Sequence, residues 1–165
     1  MTTAEMIELL GLEEHPEGGW FAETYRSSGR ICRADLGDEY DGERAFSTAI
    51  YYLLAADTSS LLHRILTDEV LHHYIGAEVE VLELRADGSG RVLMLGSDLA
   101  GGARPQIVIP AGSWFGFRVR DKAGLALIGA TVAPGFEFAD FEIGDRKALT
   151  AQYPEFADFV AQLTP

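Results

Sequence analysis

The sequence predicts an all-β sandwich or barrel with short helices at both ends, and three observations support this prediction. Apolar and polar residues alternate with a period of two in short segments between residues 20 and 134, which is typical of strands. Turn-forming residues separate these segments at fairly even spacing, as in antiparallel sheets. Helical spacing of apolar residues occurs only near the two ends.

Each end of the chain predicts a short helix. At the N-terminus, Thr2 and Glu5 have the spacing of a capping box, and Gly11 is suited to end a helix after Leu10. At the C-terminus, apolar residues between 156 and 163 follow helical spacing, with Pro154 near the expected helix start.

The segment HPEGGWFAETYRS, residues 15–27, predicts a sharp turn followed by a strand. Pro16 fixes one backbone angle, and the following two glycines permit a left-handed or sharply turned backbone. A strand is expected to begin at Trp20. Regular alternation along this strand places Phe21, Glu23 and Tyr25 on one face.

Further short strands are predicted along the rest of the chain. The segment ADGSGR, residues 86–91, predicts the clearest hairpin, and PAG at residues 110–112 predicts a tight corner. The segments read as strands are AFSTAIYYLL, SLLHRIL, EVLHHYIG, EVEVLELR, RVLMLG, PQIVIP, SWFGFRV and LALIGATVAP.

Length and composition limit the class of protein. A chain of 165 residues is expected to form a single domain over residues 1–165. The single Cys32 excludes an internal disulfide, and neither a signal peptide nor a membrane span is expected, so we predict a cytoplasmic protein. The net charge of −13 argues against nucleic acid and anionic membranes as partners.

Two stretches have the spacing of the two cupin motifs. His63 is followed at the motif spacing by Glu69 and then Gly76, and Pro110–Gly112 begins the second motif. Ile65 and Phe115 stand where the motifs usually have histidine.

Five blocks, in order along the chain, resemble the cupin subgroup that carries the HPEGG signature, the Cupin_5 type. They are HPEGGWFAETYRS, STAIYYLL, LLHRILTDEVLHHYIG, PQIVIPAGSWFGF and VAPGFEFADFE. The resemblance implies a cupin double-stranded β-helix, or jelly roll, with a short N-terminal helix and C-terminal helices. It also implies a homodimer, and it implies no particular activity. One departure from the subgroup is Leu71, where tryptophan is usual.

A metal site is the first chemistry to consider, because cupin metal sites generally use three histidines and one carboxylate. This chain keeps two of these ligands, His63 and Glu69, which are too few for a tight transition-metal site. His73 follows Glu69 by four residues, so it could share the same strand face and supply a third ligand. We expect no cofactor; if a divalent metal is present, His63, Glu69 and His73 are its predicted ligands.

Acid–base chemistry without metal is the second possibility. A carboxylate beside a histidine fixes its tautomer and makes it a better base, so His63 and Glu69 are the candidate catalytic residues. Some cupin-fold sugar epimerases pair such a histidine with a tyrosine, and the analogy of fold, not of sequence, raises the same possibility here. Tyr25, Tyr51, Tyr52 and Tyr74 are candidate proton donors, among which the sequence does not choose.

A small-molecule site inside the barrel is the function we predict first. Inward-facing Phe115 and Phe117 would make the cavity largely apolar, or would simply fill the barrel as packing. The ligand is expected to be small and polar, a class that includes carbohydrate-like molecules, and to be bound without a complete metal site. The predicted ligand-binding residues are Glu23, Tyr25, Arg26, His73, Gln106, Phe115 and Phe117. The alternatives are a metal-independent sugar epimerase or isomerase and a metal-dependent oxygenase or isomerase.

Two loops have distinctive compositions. The acidic loop Arg33–Arg44 could close over the site, and the sequence leaves this open. Aromatic residues at every second or third place in Ala133–Phe141 predict a lid or a dimer contact.

Overall fold

A computed structural model describes residues 1–121 and 124–165. It contains thirteen strands and three α-helices in the described residues. The helices are α1 (Thr3–Leu10), α2 (Arg146–Gln152) and α3 (Ala157–Gln162). The strands are β1 (Glu13–Glu14), β2 (Trp20–Arg26), β3 (Arg30–Ile31), β4 (Arg44–Ala45), β5 (Thr48–Ala55), β6 (Ser59–Arg64), β7 (Glu69–Gly76), β8 (Val79–Leu84), β9 (Gly90–Leu95), β10 (Gln106–Ile109), β11 (Trp114–Val119), β12 (Leu125–Val132) and β13 (Glu142–Ile143).

Two antiparallel sheets form the body of the fold. One has the strand order β1-β2-β5-β12-β7-β10, and the other has the order β13-β6-β11-β8-β9. Neighbours in each sheet are often distant in sequence, as β5 and β12 are, which is the crossing connectivity of a jelly roll. The predicted all-β jelly roll with terminal helices is therefore confirmed, although the sheets do not close into a barrel.

Side chains from both sheets form the main core between them. Aromatic residues dominate its centre, where Tyr52 from one sheet contacts Phe117 from the other with ring centroids 5.4 Å apart. Phe115 and Phe117 are almost fully buried in this core. These two residues therefore fill one end of the space between the sheets, as expected if they serve in packing.

The helices cover the outer faces of the sheets. Helix α1 packs Met6 against Leu53 and Leu127 on the larger sheet. Its capping box between Thr2 and Glu5 is present, as predicted. Helices α2 and α3 cover the smaller sheet. None of the helices in the described residues has the length and apolar character of a membrane span.

Strand β2 departs from regular alternation. Glu23 pairs with Ile50 and Tyr25 pairs with Ala49, so a bulge at Thr24 interrupts the register. Beyond the bulge the side chains change faces. Glu23 and Arg26 therefore face the interior, whereas Tyr25 is 54% exposed, and the expectation that Tyr25 shares the face of Glu23 is wrong.

Candidate functional site

A cavity opens between the two sheets at the end of the core, and its volume is about 100 Å³. Its wall is formed largely by apolar and aromatic side chains from β2, β5, β12 and the segment after β12. The polar residues that line it are His15, Glu17, Glu23, Arg26, Thr48, His63, Glu69 and Glu137.

The HPEGG turn places a buried carboxylate against the end of this cavity. Gly18 has φ of +105°, and a Cβ on it would lie 2.2 Å from the carbonyl oxygen of Ser59, so only glycine fits there. This close approach lets the backbone N–H of Leu61 on β6 donate to the Glu17 carbonyl oxygen at 2.8 Å. Glu17 is thereby fixed beside β6, with its side chain 6% exposed.

Glu17 and His63 form a buried ion pair. Nδ1 of His63 lies 3.0 Å from Oε2 of Glu17 and 2.7 Å from the carbonyl oxygen of Leu61. Both neighbours are acceptors, so Nδ1 carries a proton. Ser60 donates from Oγ to Oε1 of Glu17 at 2.8 Å, which holds the carboxylate in place.

The charge of this pair decides the state of His63. Burial is the largest single influence and favours the neutral ring. The carboxylate of Glu17, helped by the charge of Glu69 and the hydrogen bond with the Leu61 carbonyl, outweighs it, so the pKa of His63 is raised above its ordinary value. The same pairing outweighs burial at Glu17 and lowers the pKa of its carboxyl. The imidazolium form of His63 is therefore favoured, and its Nε2 has no hydrogen-bond partner in residues 1–121 and 124–165.

Glu69 is the second polar group at this end of the cavity. It is the first residue of β7 and is 9% exposed. Burial, and then the nearby charge of Glu17, raise the pKa of Glu69 to about 7, although the charge of His63 opposes them. No side chain or backbone group of the described chain forms a hydrogen bond or ion pair with the Glu69 carboxyl.

The rim of the cavity is held by Arg26. This guanidinium makes two hydrogen bonds with Glu23, at 2.9 and 2.8 Å, and one with Glu137 at 2.7 Å. It also donates to the carbonyl oxygen of Phe136 at 3.2 Å. The Glu23–Arg26–Glu137 bridge therefore joins β2 to the segment that follows β12.

That segment supplies the aromatic wall predicted as a lid or a dimer contact. Phe136, Phe138 and Phe141 all line the cavity and contact one another edge-on. Phe141 also lies over the His63 ring, with centroids 5.3 Å apart. A buried ion pair between Arg44 and Asp140 fixes the turn that carries these rings.

Arg44 is also where the acidic loop meets the site. No residue between 33 and 43 lines the cavity in the described chain. The loop is therefore connected to the cavity only indirectly, through the aromatic segment.

Residues 4–144 match the model of Cupin_5, a family of the cupin superfamily (DUF985). The chain belongs to the Cupin_5 family. The uncharacterized protein YML079W of Saccharomyces cerevisiae is 28% identical over 144 aligned positions, and the match covers 82% of this chain and 72% of that protein. Protein SO0799 from Shewanella oneidensis is 33% identical, with a TM-score of 0.89 over 100% of this chain and 98% of that one.

A more distant likeness shows the cupin fold alone. Oxalate decarboxylase from Bacillus subtilis has a TM-score of 0.54 and 11% identity. The match covers 91% of this chain and only 36% of the decarboxylase chain. It says nothing about the activity of this Cupin_5 protein.

The cupin metal positions do not fit a metal in this chain. Two of the four positions are the hydrocarbon side chains of Ile65 and Phe115, which cannot act as ligands. His73 follows Glu69 by four residues, about 13 Å along a strand, and donates from Nε2 to the carbonyl oxygen of Ala77 at 3.0 Å. In the described part of the chain, no three His, Cys, Asp or Glu side chains are grouped to hold a metal.

The structure separates the sequence-predicted site residues into two sets. Those that line the cavity are Glu23, Arg26, His63 and Glu69. Of the others, Tyr25 and Gln106 are exposed, His73 bonds to the β7–β8 turn, and Phe115 and Phe117 lie in the core. Gln106 lies on the edge strand β10, where its side chain donates to His72 at 3.2 Å.

Glu17 is the residue that sequence reasoning missed. The acid–base hypothesis assigned the orienting carboxylate to Glu69, whereas Glu17 contacts His63 directly. The available signal was an acidic side chain directly before two glycines. Paired glycines are typical of a turn whose backbone packs closely against another segment, and such packing can bury the neighbouring side chain. The homodimer that the family resemblance implies concerns a second copy of the chain, and it stays a prediction.

Proposed function

We propose that this Cupin_5 protein binds a small organic molecule in the cavity, with His63 and Glu69 as the polar centre. The observation that carries the proposal is Glu69, a residue that is nine-tenths buried and lines the cavity, with no hydrogen bond or ion pair to its carboxyl in the described residues. No fully enclosed side-chain oxygen of the described residues lacks a hydrogen-bond partner, so the carboxyl oxygens of Glu69 open into the cavity. Burying an ionisable group without a partner costs free energy, so such groups are typical of binding and catalytic sites. A bound molecule would supply the missing hydrogen bonds.

The cavity limits the class of ligand. Pockets for drug-sized molecules usually enclose roughly 300–1,000 Å³, and this cavity encloses about 100 Å³. A nucleotide sugar is therefore too large unless the rim opens. Small compounds that carry hydroxyl or carbonyl groups, including carbohydrate-like ones, match the polar centre and the aromatic wall.

Binding can be tested by NMR with pentoses, hexoses and small hydroxycarbonyl compounds. We expect at least one compound to shift the amide signals of residues 15–21 and 63–69 with saturation. Replacing Glu69→Gln is expected to weaken that binding about tenfold, because a charged hydrogen bond is lost. The matched control Gln106→Ala should leave it unchanged. Shifts confined to other surfaces, or equal affinities in all three proteins, would contradict the proposal.

A second candidate is metal-independent proton transfer, as in an isomerase or epimerase. It is favoured by the pKa of Glu69, which at about 7 suits a general base near neutral pH. His63 is held by Glu17 as an imidazolium with Nε2 available, so it is the donor in this scheme and not the base predicted from sequence. Glu69 would remove a proton from the carbon next to a carbonyl, and His63 would donate a proton to the carbonyl oxygen, which forms an enol.

Deuterium exchange distinguishes this candidate from binding alone. Each compound that binds is incubated with the protein in deuterated water, and the carbon next to the carbonyl is monitored by NMR. The expected result is exchange that Glu69→Gln slows at least about 100-fold. Exchange that persists in that variant, or no exchange for any bound compound, would contradict proton transfer and leave the binding proposal to its own test.

A further inference from the structure

The charges around the cavity point to the charge of its ligand. Four carboxylates line it, those of Glu17, Glu23, Glu69 and Glu137. Among the described residues the cationic groups in the lining are His63 and Arg26. When Glu69 is ionised, negative charges therefore outnumber positive ones.

Both cations are already neutralised by protein groups. His63 is paired with Glu17 through Nδ1. Arg26 directs its Nε and both Nη groups at Glu23, Glu137 and the Phe136 carbonyl oxygen. The guanidinium is thus turned towards the rim carboxylates, and it is not positioned as a receptor for an anionic ligand.

Only one of the four carboxylates lacks a partner in the described chain. Glu17 is bound by His63 and Ser60, and both rim carboxylates are bound by Arg26. Glu69 remains, nine-tenths buried and facing the cavity. The charge of His63 acts on Glu69 from a distance, but that imidazolium is already paired with Glu17, so the ionised Glu69 carboxylate still favours a positive charge in the space beside it.

The rest of the wall suits an organic cation better than a hydrated metal ion. Phe21, Phe136, Phe138 and Phe141 surround the cavity, and the negative faces of aromatic rings attract ammonium groups. Burial also lowers the pKa of His15, so this ring stays neutral and does not repel a cation.

We propose that the cavity selects a small organic ammonium ion, with its charge paired to Glu69 and its apolar part against the phenylalanine wall. This inference rests on the proposed binding function and adds the charge class of the ligand. The net charge of −13 would also draw cations towards the protein and disfavour anions such as sugar phosphates.

A series of three probes with the same ring tests this selection at pH 7.5. Benzylamine is cationic, benzyl alcohol is neutral and benzoate is anionic, and the affinity of each is measured from the amide shifts of residues 15–21 and 63–69. Benzylamine is expected to bind at least about tenfold more tightly than benzyl alcohol, with benzoate weakest. In Glu69→Gln the amine and the alcohol should become nearly equal, whereas in Gln106→Ala the preference should persist.

The outcomes separate this inference from the proposed function. If benzoate binds as tightly as benzylamine, or if the preference for the amine survives in Glu69→Gln, the charge selection is wrong and the cavity remains a binding site. If benzyl alcohol and benzylamine bind equally to the natural protein, the same conclusion holds. If none of the three shifts the cavity amides, the result counts against both proposals.

Discussion

Glu69→Gln should stabilise this protein, and the gain should grow with pH. The pKa of Glu69 rises from its ordinary 4.5 to about 7 in the folded chain. When the pKa of a carboxyl is higher in the folded chain than in the unfolded chain, the protonated carboxyl contributes stability at pH values below the pKa of the unfolded chain. This stability is lost as the pH rises through 7, because the buried carboxyl then ionises. Since each pH unit corresponds to about 1.4 kcal/mol, ionising Glu69 costs the fold about 3 kcal/mol at pH 8.5.

Glutamine has the shape of the protonated carboxyl but cannot ionise. The free energy of unfolding of Glu69→Gln should therefore exceed that of the natural protein by about 3 kcal/mol at pH 8.5 and by about 1 kcal/mol at pH 5.5. Urea denaturation at both pH values measures the difference. Both conditions avoid the isoelectric point near 4.6, where solubility falls.

Glu83 provides the matched control for this experiment. It is fully buried, whereas Glu69 is nine-tenths buried, and it is paired with Arg85 and Arg91 at 2.5 and 2.8 Å. Glu83→Gln should therefore lower stability at both pH values. If Glu69→Gln also destabilises the protein at pH 8.5, or if its effect does not depend on pH, the carboxyl of Glu69 is not unpaired and the reasoning about the site is wrong.

Three further predictions follow from the contacts around the cavity. Glu17→Gln should lower the pKa of His63, because burial lowers this pKa and the variant lacks the Glu17 carboxylate that raises it. An NMR titration of the His63 ring measures the change, and an unchanged pKa would contradict the prediction. Arg44→Gln should cost about 3–5 kcal/mol by leaving Asp140 buried and unpaired; urea denaturation measures the loss, and a cost below 1 kcal/mol would argue against the pair. Gly18→Ala should cost more than about 1 kcal/mol or prevent folding, since its backbone is left-handed; native-like stability would contradict the close approach of the turn to β6.

Much of the fold could be predicted because its signals are local. Alternating polarity predicted the strands, and the capping residues Thr2 and Glu5 predicted α1, since both patterns depend on neighbours within a few residues. The cupin spacing also identified His63 and Glu69, which the structure brings to one cavity.

The missed features depend on contacts between distant parts of the chain. The bulge at Thr24 is set by pairing with β5, and no residue type in β2 indicates it. The outward direction of Tyr25 could therefore not be predicted from the sequence. Glu17 becomes a buried partner of His63 only because the HPEGG turn packs against β6. Burial of a carboxylate is a tertiary property that composition and spacing do not encode.

A crystal structure of the protein soaked with small amines, alcohols and hydroxycarbonyl compounds tests most directly whether the cavity beside Glu69 is the binding site. We expect a compound in the cavity, within hydrogen-bond distance of the Glu69 carboxyl, with its apolar part against the phenylalanine wall. In an alcohol or hydroxycarbonyl compound an oxygen atom should also accept from Nε2 of His63. A second depression on the surface, lined by residues 56–59 and 118–120, offers an alternative place. Compounds bound only in that surface depression, without any contact to the Glu69 carboxyl, would show that the cavity lined by Glu69 is not the functional site.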